Sequence, residues 1–192
     1  MSVKMPLTAP ETVAHSFAIE TERLRLRMFR ASDLDDLANL FADQDVMRYV
    51  GNGQPCDRAE AKKALDSIIA HWERHGFGRW AVEHKETSEF IGYGGLRSLF
   101  GTPEVVYHLA TRYWGKGLAT EMARASLEFG FQQRRFDCIV AVAKPENVAS
   151  IQVMKKLGMR FEMETSYYGI DVVQYVISAP EYHQQQQRSP SA

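Results

Sequence analysis

A β-branched and aromatic run, Val105-Val106-Tyr107-His108-Leu109, is followed by Arg112-Tyr113-Trp114-Gly115-Lys116-Gly117 and then by a strongly helical run from Leu118 to Arg134. A strand that turns into a helix through Gly-x-Gly leaves bare backbone N–H groups at the start of that helix. Those donors and the positive end of the helix dipole make a ready-made phosphate cradle. Glycine suits the turn because it tolerates positive φ and because a Cβ would hinder the approach of a pyrophosphate. Taken alone, the same letters also describe an ordinary tight turn.

Two nucleotide-binding loops are excluded by the neighbouring residues. A Walker loop needs Ser or Thr directly after Gly-Lys, where this chain has Gly117. A dinucleotide fold needs a third glycine, Gly-x-Gly-x-x-Gly, after the first strand of a βαβ unit. Thr120 stands at that place, and the loop lies past the middle of the chain.

With 192 residues the chain is long enough for one domain with a real core. A formal net charge of −1 argues against nucleic acid bound by bulk electrostatics. No apolar run approaches the roughly 18–20 residues of a membrane span, and the first residues lack a secretory h-region. Cys56 and Cys138 are isolated, which suits neither a disulfide framework nor a zinc site. These features predict a cytoplasmic protein that binds neither nucleic acid nor membrane, works as a monomer or homodimer, and needs no metal. Residues 1–19 and 181–192 are expected to be flexible flanks of a single domain over 20–180.

Leu24, Leu26 and Met28 alternate with three arginines, the period of a half-buried strand. Ser32 or Asp33 caps a helix with stripe Leu34, Leu37, Ala38 and Phe41. A longer helix carries Ala61, Leu65, Ile68 and Trp72 at helical spacing. Strands follow at 79–84, 90–99 and 105–109, then the loop and the helix from Leu118. A strand at 137–143 leads to a helix capped by Asn147 and stopped by Gly158, and a hairpin over 159–177 closes the chain. The order β-α-α-β-β-β-α-β-α-β-β predicts an α/β (α+β) domain, with a mixed, mostly antiparallel twisted sheet of about seven strands and about four helices.

In that order the chain resembles the GNAT superfamily of acyl-CoA-dependent N-acyltransferases, and within it the RimJ/RimL-like branch that acetylates ribosomal-protein N-termini. The resemblance spans about residues 20–180. It rests on Thr21 to Arg27, on Phe90-Ile91-Gly92-Tyr93-Gly94-Gly95-Leu96, on Tyr113 to Glu121, and on Asn147-Val148-Ala149-Ser150 with Lys156-Leu157-Gly158-Met159. It implies acetyl-CoA as cosubstrate, its pyrophosphate lying on Trp114, Gly115, Lys116, Gly117, Leu118, Ala119 and Thr120. The pantetheine arm is implied to pair with Leu109 and Ala110 where two strands splay, facing Asn147 and Ser150. Two positions depart from the pattern. Met154 stands where many members carry a tyrosine acid, and Val106 replaces a branch glycine before the loop, which puts the exact strand bulge in question.

Acyl transfer from a thioester needs a neutral amine, a stabilised oxyanion and a protonated thiolate. An α-amine, with pKa about 8, needs less help than a lysine amine at about 10.4. A backbone N–H near Leu109 would serve the oxyanion. Ser150 is the candidate proton donor to the departing sulfur; the alternative makes it a support for a helix start already capped by Asn147. Glu104 and His108 are the candidate bases, sharing a face if the strand is regular; as plain structure they are a sheet-edge carboxylate and a half-buried histidine. Arg48 and Tyr49, with Tyr167 and Tyr168, are candidate acceptor-binding residues, against a reading as surface aromatics. His71 and His75 have i, i+4 spacing but no third ligand, so that helix face is expected to be solvated. The activity expected is acetyl transfer to a primary amine, foremost a protein or peptide N-terminal α-amine. The alternatives are a small-molecule amine or a non-catalytic acyl-CoA-binding module. Acceptor choice is expected to lie in the loops at 48–58, 97–104 and 167–171.

Overall fold

The structure, a computed structural model, describes residues 17–188. The strands are β1 (Ile19–Glu20), β2 (Leu24–Arg27), β3 (Arg79–His84), β4 (Phe90–Leu99), β5 (Thr102–Leu109), β6 (Cys138–Ala143), β7 (Arg160–Tyr167) and β8 (Ile170–Ser178). The helices are α1 (Leu34–Ala42), α2 (Gln44–Met47), α3 (Arg58–His75), α4 (Leu118–Glu128), α5 (Val148–Lys156) and α6 (Ala179–Arg188). All eight strands form one sheet in the order β1-β2-β3-β4-β5-β6-β8-β7. Every neighbouring pair is antiparallel except β5 and β6.

The helical stripes read from the sequence are the buried faces. Ala61, Leu65, Ile68 and Trp72 of α3 are buried, as are Leu118, Met122 and Ala125 of α4. The first stripe packs chiefly with α1 and Tyr93 on one side of the sheet; α4 packs with Trp80, Leu96 and Leu109 on the other. α3 begins on a capping box between Asp57 and Glu60 and ends at Gly76 in the left-handed conformation. The helix from Leu118 extends past α4 as a single π turn, Phe129–Gln133.

Three features differ from the expectations. The short β1, paired to β2, makes the sheet eight-stranded rather than seven-stranded. The chain is already anchored at Phe17, whose carbonyl accepts a hydrogen bond of 2.7 Å from the Trp80 indole and whose ring stacks on Trp72. Residues 181–188, the described part of the expected flexible tail, belong to α6, because Tyr182 is buried in a stack on Phe131 and Gln185 donates to the Gly158 carbonyl. A polar sequence hides such a helix when one aromatic supplies its burial. The rest of the expected flanks, residues 1–16 and 189–192, lies outside the described residues. No helix among the described residues is long and apolar enough to cross a membrane.

The sheet opens at its one parallel seam. β5 and β6 meet at a single register pair, Glu104 with Val140, whereas β4 and β5 pair without interruption from Leu99–Thr102 to Gly92–Leu109. Beyond Glu104 the edge of β5 is therefore free. With Val106 in place of that glycine, β5 pairs with β4 without a bulge.

Candidate functional site

The turn before α4 has the geometry the sequence implied. Gly115 and Gly117 have φ of +73° and +79°, values that side chains rarely adopt. Gly117 is the N-cap of α4, and no side chain caps that helix. By contrast, Asp57 caps α3 and Asn147 caps α5. The first-turn N–H groups of α4 at Leu118, Ala119 and Thr120 thus remain open donors, the arrangement that binds phosphate. Lys116 reaches back over the Tyr113 ring at 5.2 Å, and Trp114 is half exposed.

A brace not foreseen from the sequence holds this loop. Glu121, in the first turn of α4, accepts hydrogen bonds from the Thr21 hydroxyl at 2.6 Å, the Arg23 backbone N–H at 2.8 Å and Arg23 Nε at 2.7 Å. Arg23 Nη1 then donates to the Lys116 carbonyl at 2.9 Å. These contacts hold the Glu121 carboxyl below the usual carboxylate range despite its partial burial. Thr21, Arg23 and Glu121 were legible only as letters of a motif; nothing in their spacing joins residues about a hundred positions apart.

Two expected pantetheine contacts are already engaged. The Leu109 carbonyl accepts from Trp114 Nε1 at 2.7 Å, and the Ala110 N–H donates to the Ile91 carbonyl at 2.9 Å. Antiparallel alternation turns the Leu109 N–H away from β4 and toward the open edge. Of the two positions, that N–H is the group free to meet an arm laid along β5.

On the far side of the opening, the Asn147 side chain caps α5 by accepting from the Ser150 N–H at 3.1 Å. Ser150 Oγ lies 2.9 Å from Tyr107 Oη, which also donates to the Ser150 carbonyl at 3.1 Å. Burial pushes the Tyr107 hydroxyl up to about 12, against the hydrogen bond from Ser150, so it stays protonated. Met154 is 1 % exposed and belongs to the core. A tyrosine hydroxyl, absent from α5 at Met154, thus reaches Ser150 from β5, out of the run read in the sequence as β-branched and aromatic.

Glu104 and His108 lie on the opposite face of β5 from Tyr107, as strand alternation requires. Glu104 is ion-paired with Arg97; burial raises its carboxyl above the ordinary range and Arg97 opposes that rise. His108 stacks on Tyr93 at 4.6 Å, its Nδ1 is buried without a hydrogen-bond partner, and burial drives its pKa down to about 3. The candidates thus divide into a hydroxyl pair on the α5 side and a titratable group on the α1–α3 side, with the open seam between them.

Among the acceptor candidates, Tyr167 and Tyr168 both stack with Phe100, at 5.6 and 5.2 Å, and form an exposed aromatic rim with it. The Tyr167 hydroxyl donates to Gln174 at 2.6 Å. Arg48 is exposed and pairs with Asp45 of α2, and Tyr49 is half-buried nearby. His71 corrects the expected solvated face: it packs 5.1 Å from Phe77, its Nε2 is buried and unpartnered, and burial lowers its pKa to about 4. No group of three or more metal-ligating side chains occurs among the described residues.

The family model described as acetyltransferase (GNAT) domain matches residues 23–160. The uncharacterized protein YkkB of Bacillus subtilis is 35 % identical over 146 residues, covering 73 % of this chain and 84 % of that protein. The ribosomal-protein-S5-alanine acetyltransferase of Vibrio fischeri is 21 % identical with a TM-score of 0.69, covering 86 % of this chain and 98 % of that one. The spermidine N-acetyltransferase of Vibrio cholerae, solved with CoA and spermine, is 20 % identical with a TM-score of 0.71, covering 85 % and 99 %. The two solved structures share the fold. With the family model spanning the open-ended α4, the splayed seam and α5, the chain belongs to the acetyltransferase (GNAT) domain family and takes acetyl-CoA as its cosubstrate.

Proposed function

We propose that this acetyltransferase moves the acetyl group directly from acetyl-CoA to an α-amine, foremost that of a protein or peptide N-terminus. The observation that carries the reading is the seam at Glu104 and Val140, flanked by the Tyr107–Ser150 hydroxyl pair on one face and Glu104 on the other. The fold neighbours act on both kinds of acceptor, a ribosomal protein and a polyamine, and so leave the choice to the chemistry of the site.

The pyrophosphate rests on the open N–H groups of α4 and the arm follows the free edge of β5. The amine enters from the α1–α3 side and its nitrogen attacks the thioester carbon. The Leu109 N–H stabilises the oxyanion. The surplus proton of the nitrogen passes through water to Glu104, whose burial makes it a better base than an ordinary carboxylate. As the C–S bond breaks, the Ser150 hydroxyl gives its proton to the sulfur and takes one from Tyr107, and water returns to Tyr107 the proton that Glu104 releases. His108, at about 3, is too weak a base to compete. An α-amine near 8 needs only this modest help, whereas a lysine amine near 10.4 is held mostly as ammonium.

Thiol release from acetyl-CoA with a panel of amines tests the reading. Turnover with N-terminal α-amines at least tenfold above that with lysine side chains and polyamines is expected. CoA binding without turnover on any amine would leave a binding module instead. CoA should raise the melting temperature where ATP and NAD do not; equal stabilisation by ATP would remove the CoA-specific cradle.

A further inference from the structure

The face of the sheet that carries Glu104 holds more polar chemistry than proton removal requires. Arg97 pairs in register with Glu104, and Tyr93 with His108. Arg79 on β3 lies opposite Gly95, which sets no side chain between Arg79 and β5. The five groups gather in one polar cluster on this face: Arg79, Arg97 and Glu104 act on one another electrostatically, and both arginines act on His108. The cluster is dry at Glu104, 2 % exposed, while the Arg97 side chain is 38 % exposed at its edge, near Tyr168.

Arg79 is the anomaly within it. Arg97 has Glu104 as partner, but Arg79 Nε is buried and donates to no acceptor in the protein. Buried polar groups are nearly always hydrogen-bonded, and a buried charge is nearly always paired. His108 Nδ1 faces the same deficit. The fixed charges of the cluster are two arginines against one glutamate, one cation in surplus. An anion entering past Arg97 would remove the surplus and satisfy the unpaired donor together.

We propose that this cluster lines the acceptor subsite and that Arg79 binds a carboxylate carried close to the amine of the acceptor. The inference rests on the α-amine reading and narrows it. A guanidinium fork matches a carboxylate in two parallel hydrogen bonds. The carboxylate has two sources with the same chemistry: an acidic first side chain on a peptide, or the α-carboxylate of a free amino acid. A polyamine meets two arginines and is repelled. The exposed Phe100–Tyr168 stack borders the entrance and leaves room for the rest of a peptide.

Two acceptor pairs decide the matter in the wild-type protein. A short peptide beginning with Glu is compared with the same peptide beginning with Gln, and free alanine with alaninamide. In at least one pair kcat/KM should favour the carboxylate by about ten- to a hundred-fold, the range of a buried charge-assisted hydrogen bond, and the pair that responds identifies the source. Arg79→Met should bring that ratio close to one, with the loss in the acceptor KM, and Arg79→Lys should restore it in part. Ratios near one in both pairs overturn the inference, as does a preference that survives Arg79→Met. If neither variant folds, the wild-type ratios decide alone. If no amine turns over, the acetyl-transfer reading fails. Calorimetric titration of the CoA complex with the same four compounds then judges the subsite by the same ratios.

Discussion

Tyr107 reaches across the open seam from β5 and places its hydroxyl 2.9 Å from Ser150 Oγ, so two hydroxyls from different elements meet where the thioester would be cleaved. A helix start needs no such partner, since Asn147 already caps α5. Ser150→Ala should lower kcat and kcat/KM together by about ten- to a hundred-fold, within or below the usual span of general acid help. Tyr107→Phe should lose a similar factor and the double variant little more, because the two act in series. Steady-state kinetics on all three, alongside CoA affinity, checks this. Wild-type turnover with a lowered melting point in Ser150→Ala would reduce Ser150 to a structural residue.

Gly117→Val should abolish CoA binding while the protein stays folded. The turn requires φ of +79°, and a β-branched side chain both resists that conformation and crowds the phosphates. Isothermal titration with CoA and circular dichroism on one sample measure both properties. Unchanged affinity in a folded variant would move the cradle elsewhere.

Arg23 fixes the Lys116 carbonyl and thereby the peptide that presents the phosphate donors. Arg23→Met should cost acetyl-CoA about tenfold in kcat/KM, the worth of one hydrogen bond to a charged group. Acetyl-pantetheine, which has no phosphates, should be used as before. A general loss of structure would depress both substrates alike, so their ratio is the readout.

The acidic limb of the kcat/KM profile should lie above the ordinary carboxylate value of about 4.3, because burial raises Glu104. Activity is present above that limb and is lost as pH falls through it, since the base must be ionised. Arg97 opposes the rise, so Arg97→Met should move the limb further up. A limb that falls or stays fixed in this variant would exclude Glu104 as the base.

Acid should also destabilise the fold through its histidines. His71 and His108 are held near 4 and 3 in the folded chain against about 6.5 when unfolded. Between those values the unfolded state binds more protons, so stability rises with pH and is lost as pH falls from about 6.5 toward 4. Melting temperatures across that window should fall steadily, and His71→Gln should flatten the slope. An unchanged slope would show that His71 protonates without cost.

Local physics made much of the molecule legible in the sequence. The stripes of α3 and α4, the period-two run from Leu24, the Asn147 cap and the Gly-x-Gly turn are each decided by neighbours a few residues apart, and such spacings are visible in a string. The uncapped start of α4 follows from the same kind of information. What periodicity carries, however, is which face of an element is apolar, not which polar residues meet across the fold. The Tyr107–Ser150 pair spans 43 positions and the Arg23–Glu121 brace 98, and strand order alone brings them together. Tertiary packing also turned the polar end of the chain into α6, since Tyr182 stacks on an aromatic that no local pattern reveals. The Leu109 carbonyl and Ala110 N–H looked free in the sequence, because neither an indole folding back onto a carbonyl nor a backbone partner on the next strand has a sequence signature. The unpartnered Nε of Arg79 was equally hidden. Whether an arginine on a strand is solvated or buried without a partner depends on the strands and helix that close around it, and only the assembled sheet decides that.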